Sequence, residues 1–125
     1  MNFEYTNFRG KFMPLIPIEL RGREWVKFLG YLDSGASYSV FHSDVLRILD
    51  LEIKKGRKEF ITVGDGSLIT VYFHKIPVRF SETEFEADLG FSRQLGIGFH
   101  IIGRKDIFER FVICFDEKNR LVEIK

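Results

Sequence analysis

Apolar and polar residues alternate along most of this chain, and turns rich in glycine and charge interrupt the alternation at short intervals, which is the pattern of many short strands. Residues 2–10 alternate loosely through Phe3, Tyr5 and Phe8, as an edge strand or ordered arm does. Residues 12–20 form a better-defined strand with Leu15, Ile16, Ile18 and Leu20 apolar. Pro14 and Pro17 each remove a backbone donor there, which pushes the strand towards a sheet edge or a bulge. A mixed-charge turn at residues 21–24 leads into a strong strand over 25–32, so the two strands read as a hairpin. A short strand follows at 37–41. His42-Ser43-Asp44 then caps a short helix in which Val45, Leu46, Ile48 and Leu49 have the i, i+3, i+4 spacing. Residues 51–58 are polar and predicted to be exposed.

The clearest hairpin signal comes next: apolar arms at 60–63 and 67–73 flank a Gly64-Asp65-Gly66 tip. Further strands are predicted at 76–80, 85–89, 99–103, 111–115 and 121–124, with a loop over 90–98. A helix of about two turns is expected over 104–110, with Ile107, Phe108 and Phe111 on its inner side. The sum is a mostly β fold, a small closed β-barrel or closed sandwich with one or two short helices. An apolar strand running into Asp33-Ser34-Gly35 and a later one running into Gly103 are each followed by a helical segment, a faint echo of two halves.

Composition narrows the classes. At 125 residues the chain is expected to be a single domain spanning 1–125, and its fourteen phenylalanines suit strands. A net charge of +1 argues against a dedicated nucleic-acid binder. The one cysteine, Cys114, lies in an apolar run and reads as a buried small hydrophobe. Residues 1–10 are polar and mixed, unlike a signal peptide, and no apolar run is long enough for a membrane span. A soluble, cytoplasmic protein is expected.

Candidate chemistry concentrates at Asp33-Ser34-Gly35-Ala36-Ser37, where a hydrophobic strand ends in an acid. Taken alone, Asp-Ser-Gly is most often a turn. In a cleft, however, Ser34 and Ser37 can hydrogen-bond to the carboxylate or nearby backbone, and Gly35 lets a backbone N–H approach it. Competing candidates are weaker. His42, His74 and His100 show no ligand spacing, so no metal is expected. No Gly-x-Ser-x-Gly elbow supports a serine nucleophile. Gln94-Leu95-Gly96-Ile97-Gly98 lacks the third glycine of a phosphate loop and reads as flexible. The basic cluster at 54–58 reads as a solvated turn, and Asp65 as a turn former.

Taken in order, these features resemble the retropepsin-like aspartic proteases. The resemblance runs from about Pro14 to Phe115. It rests on the hairpin leading into Leu32-Asp33-Ser34-Gly35-Ala36-Ser37, the glycine-tipped hairpin at Gly64-Asp65-Gly66, and the hydrophobic-hydrophobic-Gly element Ile101-Ile102-Gly103-Arg104. Ser34 stands where Thr is commoner, and Lys105 separates Arg104 from Asp106 where an acid or amide often follows directly. The resemblance implies a small closed barrel with a flap and an aspartic endopeptidase without cofactor. It also implies a homodimer, because the chain carries the motif once and the chemistry needs two carboxylates. Asp33 would be the catalyst. Ser34 would brace the two loops, Gly35 and Ala36 would lie against substrate, and Ser37 would support the loop. Gly64, Asp65 and Gly66 would close over an extended peptide or protein substrate, with Ile101, Ile102, Gly103 and Arg104 behind the site. The same fold used as a non-catalytic dimeric peptide-binding or assembly module is the alternative. An unrelated small β-barrel binding domain is a third.

Overall fold

A computed structural model describes all residues, Met1–Lys125. It is mostly β. The main sheet contains β4 (Leu15–Arg21), β5 (Trp25–Leu32), β6 (Val40–His42), β7 (Arg57–Thr62), β8 (Leu68–Phe80), β9 (Thr83–Ser92) and β10 (His100–Ile102), in the order β4-β5-β10-β6-β9-β8-β7. A further pairing of Glu19 with Arg79 and Leu20 with Val78 joins β4 to β8, so the hydrogen-bonded neighbours run in a ring. The chain ends form a separate sheet in which β12 (Leu121–Ile124) lies between β1 (Asn2–Glu4) and β11 (Ile113–Asp116). A small hairpin of β2 (Thr6–Phe8) and β3 (Lys11–Met13) sits between these parts in sequence. The one α-helix, α1, is short (Asp44–Ile48), with single 3-10 turns at Ile53–Lys55 and Phe108–Arg110. No helix is long and apolar enough to cross a membrane.

Alternation explains the core. Ile16, Ile18 and Leu20 of β4 meet Ile76, Val78 and Phe80 of β8 and Ala87, Leu89 and Phe91 of β9, all essentially without exposure. Each of these side chains apart from Ala87 contributes roughly 1.5–3 kcal/mol on leaving water. Phe41 stands among the rings of Phe28, Phe91 and His100, with centroids 6.4, 5.8 and 5.0 Å away.

Several expectations are corrected. Residues 67–73 and 76–80 are one continuous strand, β8. Ile69, Val71 and Phe73 are buried at odd positions, whereas Ile76, Val78 and Phe80 are buried at even ones. The register with β9 is unbroken from Tyr72↔Phe91 to Phe80↔Thr83. The slip in hydrophobic phase therefore marks a change of buried face and not a break.

The strand expected at 12–20 divides at Pro14 into β3 and β4. β4 is not a simple edge: it pairs with β5 throughout and with β8 at Glu19 and Leu20. Pro17 falls in the half that has β5 alone beside it, where its missing donor costs no ladder bond on the second side. Gly90–Ser92, expected as loop, extend β9 by pairing in parallel with Val40–His42.

The helix expected over 104–110 is reduced to a 3-10 turn. Asp106 takes φ of 64°, and its carboxylate accepts the Asp88 N–H at 2.8 Å, a tertiary bond that outweighs local helix propensity. Ser43 sits at the N-cap of α1 without a side-chain cap bond. Cys114 is exposed on β11 and not buried, because it points to the face of the terminal sheet opposite the packed Ile113.

Phe41→Ala should lower stability by about 3–5 kcal/mol, read from the urea unfolding midpoint, because it deletes a fully buried ring between three others. A loss under about 1 kcal/mol would mean that this ring is not part of the packed core.

Candidate functional site

β5 delivers Asp33 to the site, and β10 holds it there. These strands run parallel, with Leu32 opposite Ile102, and the Asp33 N–H donates to the Ile102 carbonyl at 3.0 Å. Just beyond, the chain turns tightly. The Ala36 N–H donates to the Asp33 carbonyl at 3.1 Å, and the Gly35 N–H donates to Asp33 Oδ1 at 2.9 Å. The carboxylate is therefore oriented by backbone, with a half-buried residue carrying it.

The segment after β10 clamps this loop from behind. The Arg104 and Lys105 N–H groups donate to the carbonyls of Ala36 (2.9 Å) and Ser37 (3.0 Å). The Arg104 guanidinium donates through Nη1 to the Ser34 carbonyl at 2.9 Å and through Nη2 to Ser37 Oγ at 3.1 Å. Its planar fork spans the loop in a way a lysine ammonium would not. Arg104 does this without Asp106, whose carboxylate is engaged by the Asp88 N–H. The Gly103 N–H donates to Ser39 Oγ at 2.9 Å. A side chain at Gly103 would run into the carbonyl oxygens of Tyr38 and Ala36, the latter 2.8 Å from where a Cβ would stand. Ser39, fully buried, is thus a supporting residue that sequence reasoning missed. Its only signal was a second hydroxyl two positions after Ser37.

Opposite the loop stands the β7–β8 hairpin. Its tip closes through Val63 N–H to the Ser67 carbonyl and Gly66 N–H to the Val63 carbonyl, both at 2.9 Å, with Gly66 at φ of 86°. Asp65 Oδ1 accepts from the Ser67 hydroxyl at 2.6 Å and from its N–H at 2.9 Å, which holds the Asp65 carboxyl below its usual range. Asp65 is the turn former the sequence suggested.

Between hairpin and loop lies a cleft of about 670 Å³. Asp33, Gly35, Ala36, Ser37 and Tyr38 line its floor, and Ile61, Val63, Gly64, Ile69 and Phe73 line the hairpin side. Ile101 lines it too, while Ile102, Gly103 and Arg104 lie behind the loop. Asp65 and Gly66 stay at the tip. Leu95 and Ile97, read from sequence as part of a flexible loop, also face the cleft. That segment is tied to the hairpin. Gln94 Oε1 accepts the Thr70 N–H at 2.6 Å, and the Ser92 hydroxyl donates to the Thr70 carbonyl at 2.7 Å.

The histidines do not form a metal site: no group of three or more His, Cys, Asp or Glu side chains is placed to hold an ion. His42 and His100 do come together, with rings 5.2 Å apart, and the His42 N–H donates to His100 Nδ1 at 3.1 Å. Burial, reinforced by the nearby His42, pushes the His100 pKa down to about 4.

No protein-family model matches the sequence, and no curated protein matches it. Solved structures do resemble it. A retropepsin-like aspartic protease from Rickettsia conorii superposes with a TM-score of 0.68 at 17% identity, covering 100% of this chain and 98% of that one. EIAV protease complexed with the inhibitor HBY-793 gives a TM-score of 0.61 at 18% identity, covering 84% of this chain and 93% of that one. The fold of this chain is retropepsin-like.

His100 makes stability depend on pH. Its folded-state pKa is about 4 against an ordinary 6.5, so between those values the unfolded chain binds more protons than the folded one. Stability therefore falls as pH is lowered through that window. The urea midpoint should decrease from neutral pH towards about pH 4, and His100→Gln, which keeps an acceptor for the His42 N–H, should show a shallower decrease. Identical pH profiles would place the acid sensitivity elsewhere.

Proposed function

We propose that this chain is an aspartic endopeptidase that works as a homodimer, with residues 1–125 as one soluble, cytoplasmic domain and Asp33 as the catalytic residue of each subunit. The observation that carries the reading is the position of Asp33: on the floor of an apolar cleft, beneath a glycine-tipped hairpin, with its carboxylate oriented by the Gly35 N–H. The retropepsin-like fold is the setting in which such an arrangement performs peptide hydrolysis.

One chain carries one Asp-Ser-Gly, so a two-fold axis has to bring a second Asp33 alongside the first. Two carboxylates so close do not both ionise cheaply, and they share a proton as a coupled pair. The ionised partner takes a proton from the attacking water. The protonated partner donates to the peptide carbonyl oxygen as the tetrahedral intermediate forms. No metal or cofactor enters this chemistry. Ser34, exposed on the loop, braces it against its twin, while Gly35 and Ala36 admit the peptide backbone closely. Ser37 and Arg104 hold the loop rigid from behind. An extended peptide lies between floor and hairpin, bonding strand-like to both, and the Gly64-Asp65-Gly66 tip closes over it to exclude water.

Purified protein should cleave unstructured polypeptides at mildly acidic pH and should have the solution mass of two chains. Asp33→Asn should reduce turnover by about 10²–10⁴-fold with an unchanged unfolding midpoint. Equal cleavage by both proteins would remove Asp33 from the mechanism. Peptide binding by both proteins without any turnover would favour the non-catalytic peptide-binding module instead.

A further inference from the structure

The cleft walls are mostly apolar, and besides Asp33 they carry one other charged side chain, Glu59. On β7, Arg57, Glu59 and Ile61 pair with Phe73, Val71 and Ile69 of β8; Glu59, Ile61, Ile69 and Phe73 of this row line the cleft, and Phe60 and Thr62 border it from the other row. Glu59 therefore stands in the same row as the apolar lining residues Ile61 and Ile69. Lys58, one position away, falls on the opposite face, with its ammonium 5.6 Å from the Phe60 ring centroid.

Arg57 serves two acids. Its Nη2 donates to Asp88 Oδ2 at 2.9 Å and its Nε donates to Glu59 Oε2 at 2.8 Å, while its guanidinium carbon lies 5.2 Å from the Phe73 ring centroid. The two ion pairs are not equal. The Asp88 side chain is 11% exposed and that of Glu59 is 46% exposed. A nearly buried carboxylate left without its cation is strongly destabilising, whereas a half-exposed pair contributes little and exchanges readily. Arg57 is thus committed to Asp88 and to the face of Phe73, and its bond to Glu59 is the dispensable one. Glu59 Oε1 accepts no hydrogen bond within the chain.

The wider surroundings do not reverse the charge. Lys75, Lys105, Glu86 and Asp106 share a second concavity with Asp88. With Arg57 and Glu59 included, three cations stand against four carboxylates.

We propose that Glu59 is a specificity determinant that receives a basic side chain of the bound peptide, an arginine or a lysine, while apolar residues of the same peptide pack on Ile61, Ile69 and Phe73. The ammonium or guanidinium docks on Oε1, and Arg57 keeps Asp88. This inference rests on the cleft being a peptide site. By symmetry each subunit of the dimer offers such a pocket on its own hairpin. The substrate class is then an extended segment with apolar residues around the scissile bond and a positive residue set back from it.

The test uses a scanning set of fluorescent peptides that carry arginine, norleucine or glutamate at each position in turn. In the wild-type protein, arginine at one position should raise kcat/KM over norleucine by on the order of tenfold. This ratio should fall towards one in Glu59→Gln and drop below one in Glu59→Lys, with glutamate now preferred. The wild-type preference should shrink at high salt. Binding of the same peptides is followed in parallel by anisotropy with Asp33→Asn and Asp33→Asn/Glu59→Lys. Cleavage with equal ratios in wild type and Glu59→Lys overturns the Glu59 pocket and leaves the protease reading intact. An arginine preference in binding that Glu59→Lys abolishes, without any hydrolysis by wild type, supports the pocket and overturns the protease reading. Neither binding nor cleavage overturns both.

Discussion

The parallel pairing of β5 with β10 is the constraint on which the site depends. It sets Leu32 beside Ile102, and the next backbone bond, from the Asp33 N–H to the Ile102 carbonyl, ends the strand at the acid. Two strands far apart in sequence thereby pinch the chain at Asp33. The loop that follows is held by backbone donors from Arg104 and Lys105, by the Arg104 fork, and by a buried hydroxyl at Ser39. Backbone bonds of this kind survive changes of side chain. The loop that carries Asp33 can then be rigid while its exposed residues Ser34, Gly35 and Ser37 remain small.

The change of buried face along β8 turns that clamped loop into a cleft. The distal half of the strand, through Ile76, Val78 and Phe80, belongs to the main core. The proximal half leaves that core and buries its other face through Ile69, Val71 and Phe73, which form a small cluster of their own with Ile61 and Val63. One long strand thus serves as core wall and as the roof of the cleft. The side-chain clamps from Ser92 and Gln94 onto Thr70 tie the Leu95–Ile97 wall to the same hairpin.

Charge is placed sparingly around this apolar architecture. His100 is kept neutral by burial, and Arg57 is apportioned between a nearly buried acid and an exposed one. The consequence is a cleft with two charged points, Asp33 on the floor and Glu59 on the hairpin. In a low-polarity cleft, isolated polar groups of this sort fix the orientation of a ligand more than they add to its affinity.

Local pattern was enough for the mostly β class, the hairpin at Gly64-Asp65-Gly66, the strand ending at Asp33 and the apolar-apolar-Gly element at 101–103. All of these are set by side-chain alternation, by turn chemistry or by a glycine with no room for a Cβ. What local pattern misplaced was decided by partners distant in sequence. The slip of phase in β8 read as two strands because alternation cannot tell a change of face from a break. Residues 104–110 read as a helix because the pull of the Asp88 N–H on Asp106 is invisible locally. Cys114 read as buried because a terminal sheet has only one packed face. The meeting of His42 with His100, the support from Ser39 and the division of Arg57 between Asp88 and Glu59 belong to the tertiary structure alone. Each joins groups from separate strands, and only the folded register sets the distances between them.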